Sequence, residues 1–294
     1  MIKVAFVILN YKTFNDTVLS CNEILSEIND EYKIVVVDNA SPNESFETLC
    51  DMFKNNKFVD IIQCPTNGGF AKGNNYGLRF VSRYNPEYVC VINNDVHFTR
   101  KTIDYLAEIY RSLDAPAVIS PIQLLPNQKQ AKIIELSCPS FWTIVRDYSI
   151  IFARPLHKYF SNTKFDNVQQ VEWIQGAFSF IKYETFKKIG FFDESTFLYG
   201  EEDLLARKVK DEGLKNYIIL NHKYIHSHSK TISSVFSVKR QLKMKYDGKI
   251  IFLAKYSRKY LWLKKLVVTL MYYHYSFCIY IWIIIKRMKN VGHI

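Results

Sequence analysis

Four short apolar runs near the start of the chain place the strongest constraint on its fold. They cover residues 4–9, 33–37, 59–64 and 88–92. Continuous apolar runs of this length are typical of strands that are buried on both faces of a sheet. The stretches between them space their apolar residues helically, as at Val18, Cys21 and Ile24. This alternation predicts βαβ crossovers, and hence an α/β fold with a mostly parallel central sheet flanked by helices.

Short polar side chains follow three of these strands. The segments are Asn10-Tyr11 after the first strand, Asp38-Asn39-Ala40-Ser41 after the second, and Asn93-Asn94-Asp95 after the fourth. Ligands of parallel α/β sheets bind at the carboxyl ends of the strands. The three segments are therefore predicted to meet at one binding site.

The stretch TNGGFAKGNNYG, residues 66–77, is rich in glycine and asparagine. Its spacing is neither that of a P-loop nor that of a dinucleotide-binding fingerprint. It does place flexible backbone, several amides and Lys72 at the predicted start of a helix, which suits a bound phosphate. An ordinary loop with a turn at Gly68-Gly69 is the alternative that the sequence leaves open.

The tip of the fourth strand, VINNDV, allows two interpretations. Asn and Asp are common turn residues, so a turn that ends the strand would explain the segment. Alternatively, Asp95 holds Mg²⁺ or Mn²⁺ against a diphosphate, with help from Asn93. Hard cations take oxygen ligands and often use only one or two carboxylates together with substrate phosphates.

Two later clusters contain further candidates. Glu201, Glu202 and Asp203 open a predicted helix that Gly213 can end. Acids in a first helical turn interact favourably with the helix dipole, but three adjacent acids can also supply a general base. In HKYIHSHSKTIS, residues 222–233, His226 or His228 can complete a metal shell or contact phosphate, although the spacing matches no zinc motif.

The basic charge of the chain is confined to its C-terminal part. Residues 230–294 contain 14 Lys and Arg and one acid, a net charge of +13, and the remainder carries −2 of the total of +11. The basic residues are interleaved with apolar segments. This pattern favours an anionic membrane surface over nucleic acid as the partner.

The stretch 266–285 has no formally charged side chain and is long enough for a transmembrane helix. It is rich in Tyr and Trp and is flanked by cations at both ends, which favours helices lying on the cytoplasmic leaflet over a span. A buried helix of a soluble core is the remaining alternative.

The six cysteines are scattered singly, in keeping with a reducing compartment.

Six motifs in a fixed order carry a family resemblance. They are VAFVILNYK, IVVVDNASPN, NGGFAKGNNYG, VINNDV, WIQGAFSFIKYETFKKIGFFDE and FLYGEEDLLAR. The set resembles family 2 glycosyltransferases of the GT-A fold, particularly the rhamnosyltransferase-like bacterial enzymes of surface-polysaccharide synthesis, and covers about residues 3–235. It implies a GT-A (Rossmann-like) catalytic domain over 1–235. Residues 236–294 are then a basic and apolar helical extension that associates with the membrane.

The resemblance also implies roles for individual residues. It places the nucleotide sugar against Leu9, Asn10, Tyr11, Asp38, Asn39, Ser41, Asn67, Gly68, Gly69, Phe70, Lys72, Asn75, Asn93 and Asn94. The metal-binding DXD position of the family is occupied by Asn93-Asn94-Asp95, which makes Asp95, Asn93 and His226 the expected ligands of Mg²⁺ or Mn²⁺. Trp173, Gly176 and Ala177 match the segment that faces the donor sugar and the acceptor. The base is expected among Glu202, Asp203 and Glu201.

The activity implied by the resemblance is an inverting transfer of a sugar, rhamnose in the similar branch, from a UDP-, dTDP- or GDP-linked donor. The expected acceptor is a lipid-linked oligosaccharide of bacterial O-antigen or capsule synthesis, reached from the cytoplasmic face of the membrane. A nucleotidyltransferase acting on sugar phosphates is disfavoured, because no Gly-rich loop bearing Arg follows the first strand. A non-catalytic nucleotide-sugar-binding protein is disfavoured by the acids at 201–203.

Overall fold

A mixed sheet forms the centre of the protein in the computed structural model, which describes residues 2–26, 31–131, 137–149, 167–227 and 236–291. Its strands in this part of the chain are β1 (Val4–Asn10), β2 (Tyr32–Asp38), β3 (Val59–Gln63), β4 (Tyr88–Asn93), β5 (Val96–His97), β6 (Pro116–Leu124), β7 (Val168–Val171), β8 (Phe178–Lys182) and β9 (Lys215–His226). The spatial order is β3-β2-β1-β4-β8-β6-β9-β5, and β7 also pairs with β9.

The first four strands are parallel to one another, as the sequence predicts. Their register places Asn10 beside Asp38 and Leu9 beside Asn93, so the polar carboxyl ends are aligned at one edge. The sequence analysis does not predict the antiparallel strands. β8 runs antiparallel between β4 and β6, and β5 and β7 run antiparallel to β9.

Helices cover both faces of the sheet. They are α1 (Phe14–Leu25), α2 (Ser45–Phe53), α3 (Gly69–Phe80), α4 (Arg100–Tyr110), α5 (Phe141–Tyr148), α6 (Tyr183–Lys188), α7 (Glu201–Asp211), α8 (Val238–Tyr256) and α9 (Leu261–Val291). β1 shows the physical basis, because its side chains alternate between the two faces. Phe6 and Ile8 join the core formed with α1, α2 and α4, whereas Ala5 and Val7 join the core formed with α3, α6 and α7.

The helix that follows the Gly-rich loop begins earlier than predicted. The sequence predicts this helix over residues 73–84, and the preceding Gly68 and Gly69 are poor helix formers. In the structure α3 starts at Gly69, and Ala71 is buried against the sheet in its first turn. Tertiary packing thus stabilises a turn that the helix propensity of the sequence disfavours.

The last two helices pack on the remainder of the chain. Leu204 of α7 lies in one apolar cluster with Leu242 and Phe252 of α8, and Val268 of α9. Gly248 allows α8 to approach α7 closely: a Cβ added there would lie 2.6 Å from the carbonyl oxygen of Tyr199. The boundary predicted at residue 235 falls outside the described residues, as does His228.

We predict that Gly248→Ala destabilises the protein by about 2 kcal/mol, since the new methyl group meets backbone that cannot rotate away. The sign is diagnostic, because Gly→Ala within a helix normally stabilises it by roughly 0.5–1 kcal/mol. Urea unfolding measures the effect. Lys239→Ala at an exposed position of the same helix serves as the control, and a more stable Gly248→Ala protein would contradict the close packing.

Candidate active site

A chain of buried hydrogen bonds joins the carboxyl ends of β1, β2 and β4. The Asn10 amide donates to Asp38 Oδ2 at 2.8 Å, and Thr17 Oγ1 donates to Asn10 Oδ1 at 2.8 Å. The Asn94 amide donates in turn to the hydroxyls of Thr17 at 3.0 Å and Thr13 at 2.8 Å. Each buried polar group here is paired, which fixes the three strand ends relative to one another.

At the end of β2, Asp38 accepts several of the hydrogen bonds in this network. Besides Asn10, its carboxylate accepts hydrogen bonds from the backbone N–H of Ser41 at 2.9 Å and from the Gln63 amide at 3.3 Å. Asp38 is fully buried, whereas Ser41 is partly exposed and also accepts from the Lys12 N–H. Leu9 and Tyr11 are partly exposed beside buried Asn10 at the end of β1.

Asn39 links the end of β2 to the Gly-rich loop. Its amide nitrogen donates to Asn67 Oδ1 and to the Gly69 carbonyl, both at 3.1 Å. Its Oδ1 atom is buried without a hydrogen-bond partner in the described part of the chain. Because an unsatisfied buried acceptor is costly, this atom is a candidate to accept from a bound ligand.

The Gly-rich loop is closed by the segment that leads into α7. Phe70 N–H donates to the Phe197 carbonyl at 2.8 Å, and Gly69 N–H donates to Asn67 Oδ1 at 3.0 Å. Gly69 has φ +85°, and a Cβ there would lie 1.9 Å from the Phe197 carbonyl oxygen. Two backbone N–H groups of the predicted phosphate-binding loop therefore donate to acceptors within the protein. Lys72 is exposed, and its stem packs on Gly68.

Asn75 takes a supporting position in α3. Its amide nitrogen donates to the Phe192 carbonyl and to Glu194 Oε1, both at 2.9 Å, while its Oδ1 accepts from Phe192 N–H at 3.1 Å. With these contacts made, the side chain holds the 192–194 segment against α3.

The residues predicted to bind a metal lie together between β4 and β9. Asp95 Oδ1 is 3.1 Å from His226 Nε2, and the Asn93 amide nitrogen is 3.4 Å from the same ring nitrogen. Asp95 and His226 are 7% and 8% exposed. Behind the ring, the Gln123 amide lies 3.3 Å from Nδ1, and Gln123 Oε1 accepts from Tyr224 OH at 3.1 Å. Pairing of β5 with β9 brings Asp95 and His226 together across 131 positions of the chain.

This donor set fits Mg²⁺ or Mn²⁺ when substrate phosphates complete the shell. One carboxylate and one imidazole, with an amide beside them, are few ligands for a cation held by protein alone. The described residues contain no group of three or more His, Cys, Asp or Glu arranged to hold a metal. Gln123 and Tyr224, which the sequence analysis does not identify, orient the His226 ring from behind.

A short segment before β8 connects this cluster to the acids of α7. Asn93 N–H donates to the Ala177 carbonyl at 3.0 Å, and Gly176 N–H donates to Glu202 Oε1 at 3.3 Å. A Cβ at position 176 would lie 3.0 Å from that carboxylate oxygen. Glycine at position 176 thus lets the Glu202 carboxylate lie close to the backbone that abuts Asn93.

The three adjacent acids of α7 have different surroundings. Glu201 is 4% exposed, and its Oε2 has no hydrogen-bond partner among the described residues. Burial raises its pKa well above the usual range, and the neighbouring Glu202 charge adds to the effect. Burial also raises the pKa of Glu202, with the Asp203 charge adding to this and Lys249 opposing it. Glu202 is partly exposed, unlike the other two.

Asp203 is held by a donor on either side. Trp173 Nε1 donates to Asp203 Oδ1 at 3.1 Å, and Lys249 Nζ donates to Oδ2 at 2.8 Å. Lys249 also lies 3.3 Å from Asp147 Oδ2, so one α8 cation connects α7 with α5. Of the three acids, Glu202 alone combines partial exposure, a raised pKa and a carboxylate without a cationic hydrogen-bond partner among the described residues.

Sequence reasoning missed several of these residues. Thr17, Gln123 and Lys249 carry no motif, and they contact Asn94, His226 and Asp203, which lie 77, 103 and 46 residues away along the chain. Polar residues at the apolar positions of a periodic pattern are the one available signal. Thr17 is such a case, because it lies next to Val18 on the buried side of α1.

Comparison with known proteins bears on the family and the fold of the chain. The family model described as "Glycosyl transferase family 2" matches residues 6–202. The chain is 28% identical over 211 residues, 71% of its length, to the low-salt glycan biosynthesis hexosyltransferase Agl10 of Haloferax volcanii. It spans 62% of the length of that relative.

Two solved structures share the fold at low sequence identity. S. aureus TarS 1-349 in complex with UDP-GlcNAc has a TM-score of 0.56 and 14% identity, over 86% of this chain and 66% of that chain. The mannosyltransferase PcManGT from Pyrobaculum calidifontis, in complex with GDP-Man and Mn²⁺, has a TM-score of 0.56 and 12% identity, over 93% and 73%. The expected GT-A architecture is thereby confirmed.

We predict that Lys249→Met lowers the free energy of unfolding by about 3 kcal/mol, because it leaves the buried Asp203 carboxylate without its cation. Lys243→Met is the matched control in the same helix, since its partner Asp247 is exposed and the pair contributes at most about 1 kcal/mol. Urea denaturation measures both variants. Equal losses for the two would show that the Asp203 pair is no more important than a surface pair.

Proposed function

The chain belongs to glycosyl transferase family 2, and on that premise we propose that it transfers a sugar from a nucleoside-diphosphate donor to an acceptor hydroxyl with inversion at the anomeric carbon. The observation that carries the proposal is the position of Glu202. Glu202 is partly exposed, and its carboxylate accepts a hydrogen bond from the N–H of Gly176, one residue before Ala177, whose carbonyl accepts from Asn93. A base beside the predicted diphosphate site is what a single displacement requires.

Glu202 is proposed as the general base, in preference to its two neighbours. Glu201 is enclosed, and burial favours its protonated form. Asp203 is occupied by Trp173 and Lys249. Glu202 has a raised pKa, which makes its carboxylate a better proton acceptor at neutral pH. As the acceptor oxygen attacks the anomeric carbon, Glu202 takes the hydroxyl proton.

The donor is proposed to lie along the aligned strand ends. Asp38 and Asn39 would face the nucleotide, the loop at residues 67–72 would face the diphosphate, and Trp173 with Gly176 would face the sugar. UDP-, dTDP- and GDP-linked donors all remain candidates, since the similar solved structures hold UDP-GlcNAc in one case and GDP-Man in another. We propose rhamnose as the first sugar to test, on the motif resemblance.

Asp95 and His226, with Asn93 beside them, are proposed to hold Mg²⁺ or Mn²⁺. A divalent cation there would offset negative charge on the departing nucleoside diphosphate. The Lys72 ammonium and the remaining backbone N–H groups at the start of α3 would stabilise the same negative charge. His226 and Gln123 keep the Asp95 carboxylate in place at the end of β4.

The acceptor is proposed to be lipid-linked, in synthesis of a bacterial surface polysaccharide such as O-antigen or capsule. α9 supports membrane association at the cytoplasmic face, because Leu261–Ile285 is long and apolar enough to cross a membrane and only 11% of its apolar window is buried. Along its outer side runs an exposed stripe that includes Trp262, Leu266, Leu270, Tyr273 and Phe277.

The packing of α9 favours a helix lying on the membrane over a span. Its inner side contacts α5 and α8 from Leu261 to Ile279. Beyond Ile279, the apolar residues 280–285 precede Lys286 and Arg287, and they extend about 9 Å at 1.5 Å per residue, less than the roughly 30 Å of hydrocarbon in a bilayer. We therefore propose that the exposed stripe enters one leaflet and the nearby cations contact anionic headgroups.

Glu202→Gln is predicted to lower kcat by about 100-fold or more, since the amide cannot accept the acceptor proton. Affinity for the sugar nucleotide is expected to stay unchanged. Release of nucleoside diphosphate from a panel of UDP-, dTDP- and GDP-sugars measures the rate, and calorimetry measures donor binding. Glu212→Gln, at the exposed end of α7, is the control. Wild-type turnover by Glu202→Gln would remove the base assignment, and release of pyrophosphate instead would indicate nucleotidyl transfer.

Replacing Leu266, Leu270 and Phe277 together with Ser is predicted to weaken binding to phosphatidylglycerol-containing vesicles at least tenfold, because the exposed stripe supplies the apolar contact area. Turnover on a water-soluble acceptor should be unchanged, since these side chains point away from the core. Vesicle sedimentation is the measurement. Unaltered vesicle binding would contradict attachment through this face of α9.

A further inference from the structure

A chain of hydrogen bonds between three side chains joins α1, β5 and the end of β9. His97, the second residue of β5, contacts Glu23 Oε2 of α1 through Nδ1 at 2.6 Å. Its Nε2 atom lies 3.0 Å from the hydroxyl of Ser227, which directly follows β9. Because an ionised carboxylate only accepts hydrogen bonds, the neutral His97 ring donates from Nδ1 to Glu23 and accepts from the Ser227 hydroxyl at Nε2.

Ser227 connects this chain to both residues that are proposed to hold the cation. It directly follows His226, and its backbone N–H donates to the Asp95 carbonyl oxygen at 3.0 Å. The strand pairing around these residues is short, because β5 consists of Val96 and His97 alone. Since short two-stranded pairings are weak by themselves, the contacts of the His97 side chain with α1 and with Ser227 reinforce the pairing that brings Asp95 to His226.

Helix α1 also holds the same segment at its other end. The Asn94 amide donates to Thr17 Oγ1 at 3.0 Å, three positions before His97 contacts Glu23. Both partners belong to α1. The segment that carries Asp95 is therefore attached to one helix on both sides of its carboxylate, and His97 extends that attachment to the end of β9.

We propose that Glu23, His97 and Ser227 are positioning residues for the divalent cation, an inference that rests on the cation site proposed above. They act by keeping Asp95 and His226 together. With so few protein ligands, affinity for the cation depends on their geometry, and removing groups that orient metal ligands typically lowers it about tenfold or more. The Glu23 and His97 side chains are 50% and 32% exposed. Their ion pair therefore contributes little to stability, and its loss should affect metal binding more than folding.

Titration of the full chain with Mn²⁺, followed by the electron paramagnetic resonance signal of the free ion, tests the proposal. It is carried out alone and with UDP, dTDP or GDP, and Asp95→Asn verifies that the titration reports this site by losing the binding. His97→Ala breaks both links and is expected to weaken Mn²⁺ binding about fivefold. Glu23→Ala and Ser227→Ala each break one link and should cause smaller losses. His97→Gln should retain most of the affinity, because its amide can donate to Glu23 and accept from Ser227.

Arg111→Ala is the matched control, because Arg111 forms a comparably exposed ion pair with Glu87 elsewhere on the surface. Thermal unfolding without metal compares the stability of the variants. In turnover assays, the His97→Ala defect should appear in the Mn²⁺ concentration that gives half-maximal rate rather than in kcat at saturating Mn²⁺. Loss of a purely structural contact would not produce that separation.

Wild-type Mn²⁺ affinity of His97→Ala would overturn the proposal and leave the cation site itself intact. Equal losses in His97→Ala and Arg111→Ala would also overturn it, since they would indicate a general loss of stability. So would a loss in His97→Gln as large as that in His97→Ala. A wild-type chain that binds no Mn²⁺ under any of these conditions would contradict the cation site together with this inference. Mn²⁺ binding without sugar transfer would contradict the proposed transfer alone.

Discussion

Three consecutive carboxylates at the start of α7 impose the constraint on which the site depends. Adjacent acids repel one another, and burial adds to the cost of ionising each. The structure meets this constraint by giving each acid a different environment: Glu201 is enclosed, Asp203 is paired with Lys249 and Trp173, and Glu202 is left partly exposed. Of these three similar side chains, Glu202 is the one that we propose as the proton acceptor.

Because of this constraint, the proposed site depends on the C-terminal helices. Lys249 comes from α8, and α8 approaches α7 closely through Gly248. α9 packs on α8 and presents its apolar stripe outward. The surface proposed to contact the membrane is thereby joined to the proposed base by two packed helices. This arrangement is consistent with the proposal that the acceptor is anchored in that membrane.

Much of the first half of the fold follows from the sequence. The four parallel strands and the alignment of Asn10, Asp38 and Asn93 at one edge are local consequences of apolar runs that end in polar residues. The rest depends on distant pairing. β8 inserts antiparallel beside β4, and no local pattern indicates which strand a short apolar run such as Phe178–Lys182 will join. The distinction between Glu202 and Asp203 likewise depends on Lys249, 46 residues downstream of Asp203.

The pH dependence of kcat/KM tests the central claim, that Lys249 holds Asp203 so that Glu202 can act as the base. Lys249 opposes the raised pKa of Glu202, so its loss should raise that pKa further. Activity requires the ionised base and falls as pH drops through its pKa. The acid limb of the profile should therefore move to higher pH in Lys249→Met and return towards the wild-type position in Lys249→Arg. An acid limb that does not move in Lys249→Met would contradict the account.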